Sequence, residues 1–165
     1  MKIDPNKLIR ELGNEIATML DDGVLKNPAI IGIHTGGAWV AEKLHEQIDK
    51  ELPLGTLNIN FYRDDFSRRG FNPVVNSSEI DFDLENRDIL LVDDVLHTGR
   101  TIRAAMNEIF DYGRPASLQL VVLADRGGRE LPIEPSFCGT KIELQADEQL
   151  ELTGPKPLRM SVVKP

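Results

Sequence analysis

The sequence predicts one α/β domain with a mainly parallel central sheet and helices on both of its faces. The apolar runs at 29–34, 89–94 and 117–125 are nearly continuous, as in strands that are buried on both sides. Segments with helical periodicity alternate with these runs. Strand–helix–strand units of this kind form parallel sheets, whose ligands bind at the carboxyl ends of the strands.

Three amphipathic helices follow from the spacing of apolar residues. The first begins at Asp4–Pro5, where a capping residue precedes a proline at the first helical position, and it ends at Gly23. Gly113 and Pro115 end the third. The predicted helices cover residues 4–22, the segment from the turn at Thr35–Gly37 to about residue 50, and residues 100–112.

Weaker patterns predict the remaining elements. Residues 56–63 alternate in polarity, as a half-buried strand does, and the polar residues 64–80 predict a loop. The tail from 126 to 165 is rich in proline and is predicted to be irregular. Within it we predict short strands at 149–152 and 159–163.

Length and charge exclude several classes of protein. The chain has 165 residues, of which 41% are hydrophobic, enough for one domain with one sizeable core. Its formal net charge of −8 disfavours binding to DNA.

No apolar run approaches the ~20 residues of a membrane span, and the polar N-terminus does not resemble a signal peptide. The single cysteine, Cys138, favours the cytoplasm, because it cannot form an internal disulfide.

The stretch VDDVLHTGRT, residues 92–101, places two carboxylates before a turn that is suited to an anion. Gly99 permits a tight turn, and the amides of Thr98–Thr101 lie at a helix N-terminus, where partial positive charge accumulates. Asp93 and Asp94 accept hydrogen bonds and therefore suit hydroxyls or a metal ion. A ribose 5-phosphate group satisfies both halves. The alternative is a structural acidic turn with a helix cap. Neither GxxxxGK[ST] nor GxGxxG is present.

Two further loops, 34–37 and 125–130, are predicted at the same edge of the sheet as 93–101. The segment ILLVDDVLHTGRT, 89–101, resembles the phosphoribosyl pyrophosphate (PRPP) signature of type I phosphoribosyltransferases. Around it, the spacing and the sequences of three segments resemble the PyrR family, over about residues 28–135. These segments are IGIHTGG (31–37), NFYRDDF (60–66) and DYGRPASLQLVVLADRGGRELPI (111–133).

The PyrR family combines uracil phosphoribosyltransferase activity with control of pyrimidine-operon attenuation. The resemblance therefore implies a type I phosphoribosyltransferase fold in a single domain, 1–165. Its parts would be a core at about 28–125, a flexible lid at about 62–80 and a small hood at about 126–150. It also implies a homodimer or a higher homo-oligomer.

The resemblance implies a role for each loop. Asp93 and Asp94 would contact the ribose hydroxyls of PRPP and lie near Mg²⁺, which PRPP would bring without a direct protein ligand. These two residues and the lid residue Arg63 would be catalytic. The PRPP or UMP site would comprise Asp93, Asp94, Val95, Leu96, His97, Thr98, Gly99, Arg100 and Thr101. The pyrophosphate loop would be Thr35, Gly36 and Gly37, the lid would include Tyr62, Arg63, Asp64 and Asp65, and the base side of the hood would include Asp125 and Arg126.

Two residues of this chain differ from patterns in these relatives. Purine enzymes of this type carry an aspartate, directed at N7 of the base, where this chain has His97. The substitution favours uracil over hypoxanthine or guanine as the base. Many PyrR sequences have arginine where this chain has Gly36, and the change removes a charge-assisted donor to pyrophosphate.

The charge pattern bears on RNA. Attenuating relatives carry a basic first helix and further basic residues after RELPI, whereas the first helix here has only Lys7 and Arg10. Lys141 is the one cation among several acids in 134–149. Because RNA affinity needs clustered Lys or Arg, we expect binding to pyr leader RNA to be weak or lost. The alternatives to an enzyme that makes UMP from uracil are a regulator that senses UMP or UTP and, less favoured, a purine phosphoribosyltransferase.

Overall fold

The computed structural model describes residues 2–59 and 78–165. Most of the predicted lid, including Tyr62, Arg63, Asp64 and Asp65, lies outside these residues. In chain order the described elements are β1 (Lys2–Ile3), α1 (Pro5–Asp21), β2 (Ala29–Ile33), α2 (Gly36–Ile48), β3 (Leu54–Leu57), β4 (Asp88–Leu96), α3 (Arg100–Tyr112), β5 (Ser117–Asp125), β6 (Phe137–Lys141), β7 (Gln149–Thr153) and β8 (Arg159–Val163).

A five-stranded sheet with the order β3-β2-β4-β5-β6 forms the centre of the fold, and all four strand pairs are parallel. The predicted parallel sheet is therefore confirmed. Its register brings the carboxyl ends of neighbouring strands together. Gly32 of β2 pairs with Val92 of β4, and Asp125 of β5 pairs with both Leu96 of β4 and Lys141 of β6.

Helices cover both faces of this sheet, as predicted. Alternate residues of the central strands point to opposite faces, so each strand contributes to two separate apolar clusters. One cluster joins the sheet to α1 and α2 and includes Ile30, Leu90, Val121, Leu12, Ile16 and Leu44. The other joins the sheet to α3 and includes Ile31, Leu91, Val122, Ile102 and Ile109.

The three predicted helices are confirmed to within two residues at their described ends. The carboxylate of Asp4 caps α1 by accepting hydrogen bonds from the amides of Asn6, at 3.0 Å, and Lys7, at 3.2 Å. One boundary differs: the predicted turn at Thr35–Gly37 is shorter, since Gly36 and Gly37 already form the start of α2.

The predicted strand at 56–63 has the wrong bounds, because β3 runs from Leu54 to Leu57. Its partner β2 ends at Ile33, which pairs with Leu57, so the ladder has no partner beyond that point. The amide of Asn58 instead donates to Oγ of Ser78, at 2.8 Å. The part of the prediction from residue 60 onward lies outside the described residues.

The tail contains more strand than the sequence predicts. The two predicted strands are confirmed as β7 and β8, which form an antiparallel sheet with β1 from the other end of the chain. The missed strand is β6, where Gly139 and Thr140 interrupt the apolar pattern. β6 extends the central sheet into residues 126–150, the range that the family resemblance implies for the hood. Within the described ranges, no helix is long and apolar enough to cross a bilayer.

Candidate active site

Three loops meet at the carboxyl edge of the central sheet, because the strands that carry them are neighbours. Residues 34–37 follow β2, residues 93–101 complete β4 and lead into α3, and residues 125–130 follow β5. The convergence that the sequence predicts is therefore present. The roles of the individual residues as ligand contacts remain predictions.

The two carboxylates at the end of β4 are held by the backbone that follows them. Asp93 is 7% exposed, and its Oδ1 accepts a hydrogen bond from the amide of Asp94, at 2.9 Å. Oδ1 of Asp94, which is half-buried, accepts one from the amide of Val95, at 2.8 Å. These contacts orient both side chains. Among the described residues, no group of three or more His, Cys, Asp or Glu side chains could hold a metal ion.

The predicted pyrophosphate loop packs directly against these carboxylates. A Cβ atom at Gly36 would collide with Oδ2 of Asp94, and one at Gly37 would lie 2.6 Å from the carbonyl oxygen of Val92. Thr35 is exposed, and its side chain makes no capping hydrogen bond to α2. Glycine at 36 and 37 therefore allows β4 and the start of α2 to approach closely.

The predicted phosphate loop turns through Gly99, whose φ of 93° lies in the left-handed region. Oγ1 of Thr98 accepts a hydrogen bond from the amide of Arg100, at 3.2 Å. The first turn of α3 contains no acidic residue of its own, and its first residue, Arg100, pairs with Glu130 of the neighbouring loop through Nε, at 2.7 Å. Thr98 and Thr101 are half-buried. This arrangement suits a phosphate monoester.

On the other side of the phosphate loop, Asp125 forms a bidentate ion pair with Arg129. Its oxygens accept hydrogen bonds from Nη1, at 2.8 Å, and Nη2, at 2.6 Å, and the amide of Gly127 donates to Oδ1, at 2.9 Å. The Arg129 guanidinium, and then the Gly127 amide, hold the pKa of Asp125 below its ordinary value against the opposing effect of burial. The same hydrogen bond raises the pKa of Arg129. The pair therefore stays ionised at neutral pH.

Arg126, the other residue predicted on the base side, has an unused donor. Its Nε atom is buried and has no hydrogen-bond partner among the described residues. Both oxygens of Asp125 already accept hydrogen bonds from within the chain. Both predicted base contacts line one groove, to which the Arg126 guanidinium adds hydrogen-bond donors.

His97 lies between the phosphate loop and the base side. A Cβ atom at Gly128 would be 2.9 Å from its Nε2, so glycine at 128 leaves room for the imidazole. Partial burial lowers the pKa of His97, Arg126 lowers it further, and Glu130 opposes the shift. The imidazole is therefore mainly neutral at neutral pH.

A groove of about 600 Å³ opens beside these residues. The sequence does not predict that Lys141 lies on this groove, because β6, the strand that carries it there, was not predicted. A lone aromatic residue, Phe137, after Pro135 is the only local signal for that strand. The groove is lined by Asp125, Arg126, Gly127, Arg129, Glu134, Lys141, Ile142 and Glu143.

Comparison with known proteins agrees with this geometry. The family model described as the phosphoribosyl transferase domain matches residues 2–156. The chain is 50% identical to the bifunctional protein PyrR of Nitrosococcus oceani, over 98% of this chain and 93% of that protein. It is 46% identical to the bifunctional protein PyrR of Pseudomonas syringae pv. syringae, over 96% and 94%.

Solved structures share the fold at lower identity. A hypoxanthine-guanine-xanthine phosphoribosyltransferase is 25% identical with a TM-score of 0.61, over 84% of this chain and 74% of that one. A hypoxanthine phosphoribosyltransferase from Staphylococcus aureus is 24% identical with a TM-score of 0.62, over 84% and 76%. These likenesses confirm the predicted fold. The match to the domain model and the identity to the curated relatives show that the chain belongs to the phosphoribosyltransferase family and, within it, to the PyrR family.

Proposed function

We propose that this protein is a uracil phosphoribosyltransferase, which converts uracil and PRPP to UMP and diphosphate, and that it is linked to the regulation of pyrimidine biosynthesis genes. One observation carries the enzymatic part. A pair of oriented carboxylates, Asp93 and Asp94, lies between a glycine loop at the start of α2 and the N-terminus of α3 at Thr98–Thr101, whose first turn has no acidic residue. The names of the curated relatives support the regulatory part.

In this proposal each loop meets one part of PRPP. Asp93 and Asp94 accept hydrogen bonds from the ribose hydroxyls, and the Thr98–Thr101 turn donates to the 5-phosphate. The pyrophosphate lies over Thr35, Gly36 and Gly37. Magnesium is often held by one or two carboxylates together with substrate phosphates, so the Asp93–Asp94 pair fits an ion that arrives with PRPP. Bound there, it would neutralise charge on the departing pyrophosphate.

Departure of pyrophosphate leaves a cation-like carbon at C1 of the ribose, which water would attack. The site must therefore exclude water while the base approaches. We assign this closure to a lid with Tyr62, Arg63, Asp64 and Asp65, where Arg63 would add positive charge beside the leaving group.

The base side supports a pyrimidine. His97 supplies no carboxylate for N7 of a purine, and the lowered pKa of His97 keeps its ring neutral. Arg126 lines the groove, and a guanidinium donates well to a carbonyl oxygen, which uracil has at two positions. We therefore expect this chain to share the fold of the solved purine enzymes and to use a different base.

A base-specificity assay tests the enzymatic proposal. The protein should form nucleotide from PRPP and Mg²⁺ with uracil at least about 100-fold faster, in kcat/KM, than with hypoxanthine, guanine or orotate, because a site matched to a base's hydrogen bonds leaves polar groups unpaired with the wrong base. Chromatographic detection of UMP gives the rate. No UMP under conditions in which a known uracil phosphoribosyltransferase works, or faster turnover of a purine, would contradict the proposal.

A second candidate is a regulator that binds UMP or UTP in the same pocket and acts with little catalysis. The word bifunctional in the names of the curated relatives supports a second function beside catalysis, and this candidate gives that function the larger part. The charges argue against RNA as a strong partner. Of the cations near the RELPI segment, Arg129 is 16% exposed and bonded to Asp125, and Lys141 lies on the groove with Glu134 and Glu143.

We expect pyr leader RNA to bind no more tightly than about 1 μM at ~150 mM salt, because few cations are available to release counterions. Fluorescence anisotropy across a salt series, with an unrelated RNA of equal length as the control, measures this. Sub-micromolar binding with a steep salt dependence and preference for the leader sequence would show that RNA binding is retained.

Two further properties belong to the proposal. We infer a homodimer or higher homo-oligomer from the family, and a cytoplasmic location from the single cysteine. Light scattering after size exclusion measures the first.

A further inference from the structure

The segment Arg129–Ile133, RELPI in sequence, packs behind the predicted phosphate loop and contacts it repeatedly. The carbonyl oxygen of Thr98 accepts hydrogen bonds from the amides of Glu130, at 2.9 Å, and Leu131, at 3.2 Å. Side chains of Leu131 and Ile133 approach within 3.4 Å of the position that a Cβ of Gly99 would take. The segment therefore supports the turn that we assign to the 5-phosphate.

Arg129 is the centre of this contact. Its guanidinium donates to three chain segments: from Nε to the carbonyl of Ile133, at 2.7 Å, from Nη1 to the carbonyl of His97, at 2.9 Å, and from both terminal nitrogens to Asp125. Glu134 adds a longer contact to Nη2, at 3.4 Å. A rigid, planar guanidinium can make these bonds together, whereas an ammonium group cannot.

We propose that Arg129 is a positioning residue for phosphoribosyl binding: it fixes the start of the phosphate loop, at His97, to the end of β5, at Asp125, and so holds the Thr98–Thr101 turn ready for the 5-phosphate. The inference rests on the proposed function. It also assigns the guanidinium of Arg129 to the interior, so this residue does not contribute to binding a nucleic acid phosphate.

The matched control is Asp88→Asn. Asp88 lies at the opposite end of β4, where it accepts hydrogen bonds from the amide of Lys26, at 2.6 Å, and from Oγ of Ser117, at 2.7 Å. Its replacement removes the charge and one acceptor oxygen without touching the RELPI segment. It therefore shows how far a general loss of stability changes ligand affinity.

Binding of UMP is measured by calorimetry for the wild-type chain, Arg129→Gln, Arg129→Lys and Asp88→Asn, each with its Tm. We expect Arg129→Gln to weaken UMP at least about 10-fold and Arg129→Lys to weaken it about 3- to 10-fold, since lysine retains the charge but not the fork. The UMP affinity of Asp88→Asn should stay within about twofold of wild type, even if its Tm falls by as much as that of Arg129→Gln.

UMP affinity of Arg129→Gln within twofold of wild type, or no weaker than that of Asp88→Asn, would overturn the positioning role while leaving the proposed function intact. Failure of the wild-type chain to bind UMP would overturn the proposed function and this inference with it. If Arg129→Gln does not fold, Arg129→Lys decides by the same comparison. Weakening of leader-RNA binding by Arg129→Gln with UMP affinity unchanged would assign the residue to RNA instead.

Discussion

Replacing Asp94 with asparagine should lower kcat/KM for PRPP by at least about 100-fold. The carboxylate is proposed to accept hydrogen bonds from ribose hydroxyls, and hydrogen bonds to a charged group contribute about 1.5–3 kcal/mol each. Asparagine has the same shape, and its oxygen can still accept the amide of Val95, so the fold should survive. Steady-state kinetics with varied PRPP at saturating uracil measure the loss.

The control for this change is again Asp88→Asn, on the same strand. Its effect should be confined to stability, with the KM for PRPP within about twofold of wild type, because the residue lies at the amino end of β4. A loss of less than about threefold in Asp94→Asn would mean that this carboxylate does not contact the sugar.

Replacing Gly36 with alanine should reduce transfer about 10-fold in this chain, although many PyrR sequences have arginine here, because the carboxylate of Asp94 occupies the space that a Cβ would need. The new Cβ would displace the carboxylate of Asp94 from its position over the loop. A displacement of about 1 Å in a positioned group can cost up to about 100-fold in rate. The atoms that must move, Oδ2, Cγ and Cβ of Asp94, all belong to one side chain, so we expect Tm to fall less than in a variant whose new Cβ meets backbone.

Gly37→Ala is the matched control for this prediction. Its Cβ would meet the backbone carbonyl of Val92, which cannot move aside as a side chain can. We expect it to lower stability by about 1–3 kcal/mol, the usual cost of forcing an extra carbon into a packed region. Thermal melts and PRPP kinetics on both variants separate the two effects. Equal activity in Gly36→Ala and wild type would remove the proposed link between this glycine and Asp94.

The elements that the sequence predicts well are those with a strong local pattern. The runs that became β2, β4 and β5 are buried on both faces and carry few polar residues, and Asp4–Pro5 marks the start of α1. β6 was not predicted, because this edge strand contains few apolar residues and Gly139, a residue type that is rare in strands, lies at its centre.

The candidate site also combines features that a local pattern predicts with contacts that it does not. The carboxylates and the glycine turn in 93–101 are contiguous, so their chemistry is readable from the sequence. The bond from Arg129 to the carbonyl of His97 joins residues 32 positions apart, and the contact of Gly36 with Asp94 depends on β2 lying beside β4. Such contacts leave no local pattern, because only the packed sheet brings the partners together.

The most direct test of the central claim is a crystal structure of the protein with UMP bound. The account predicts that the ribose hydroxyls lie within hydrogen-bonding distance of Asp93 or Asp94 and that the 5-phosphate accepts from the amides and hydroxyls of Thr98–Thr101. A nucleotide whose phosphate lies on Thr35–Gly37, or whose ribose does not reach either carboxylate, would contradict it.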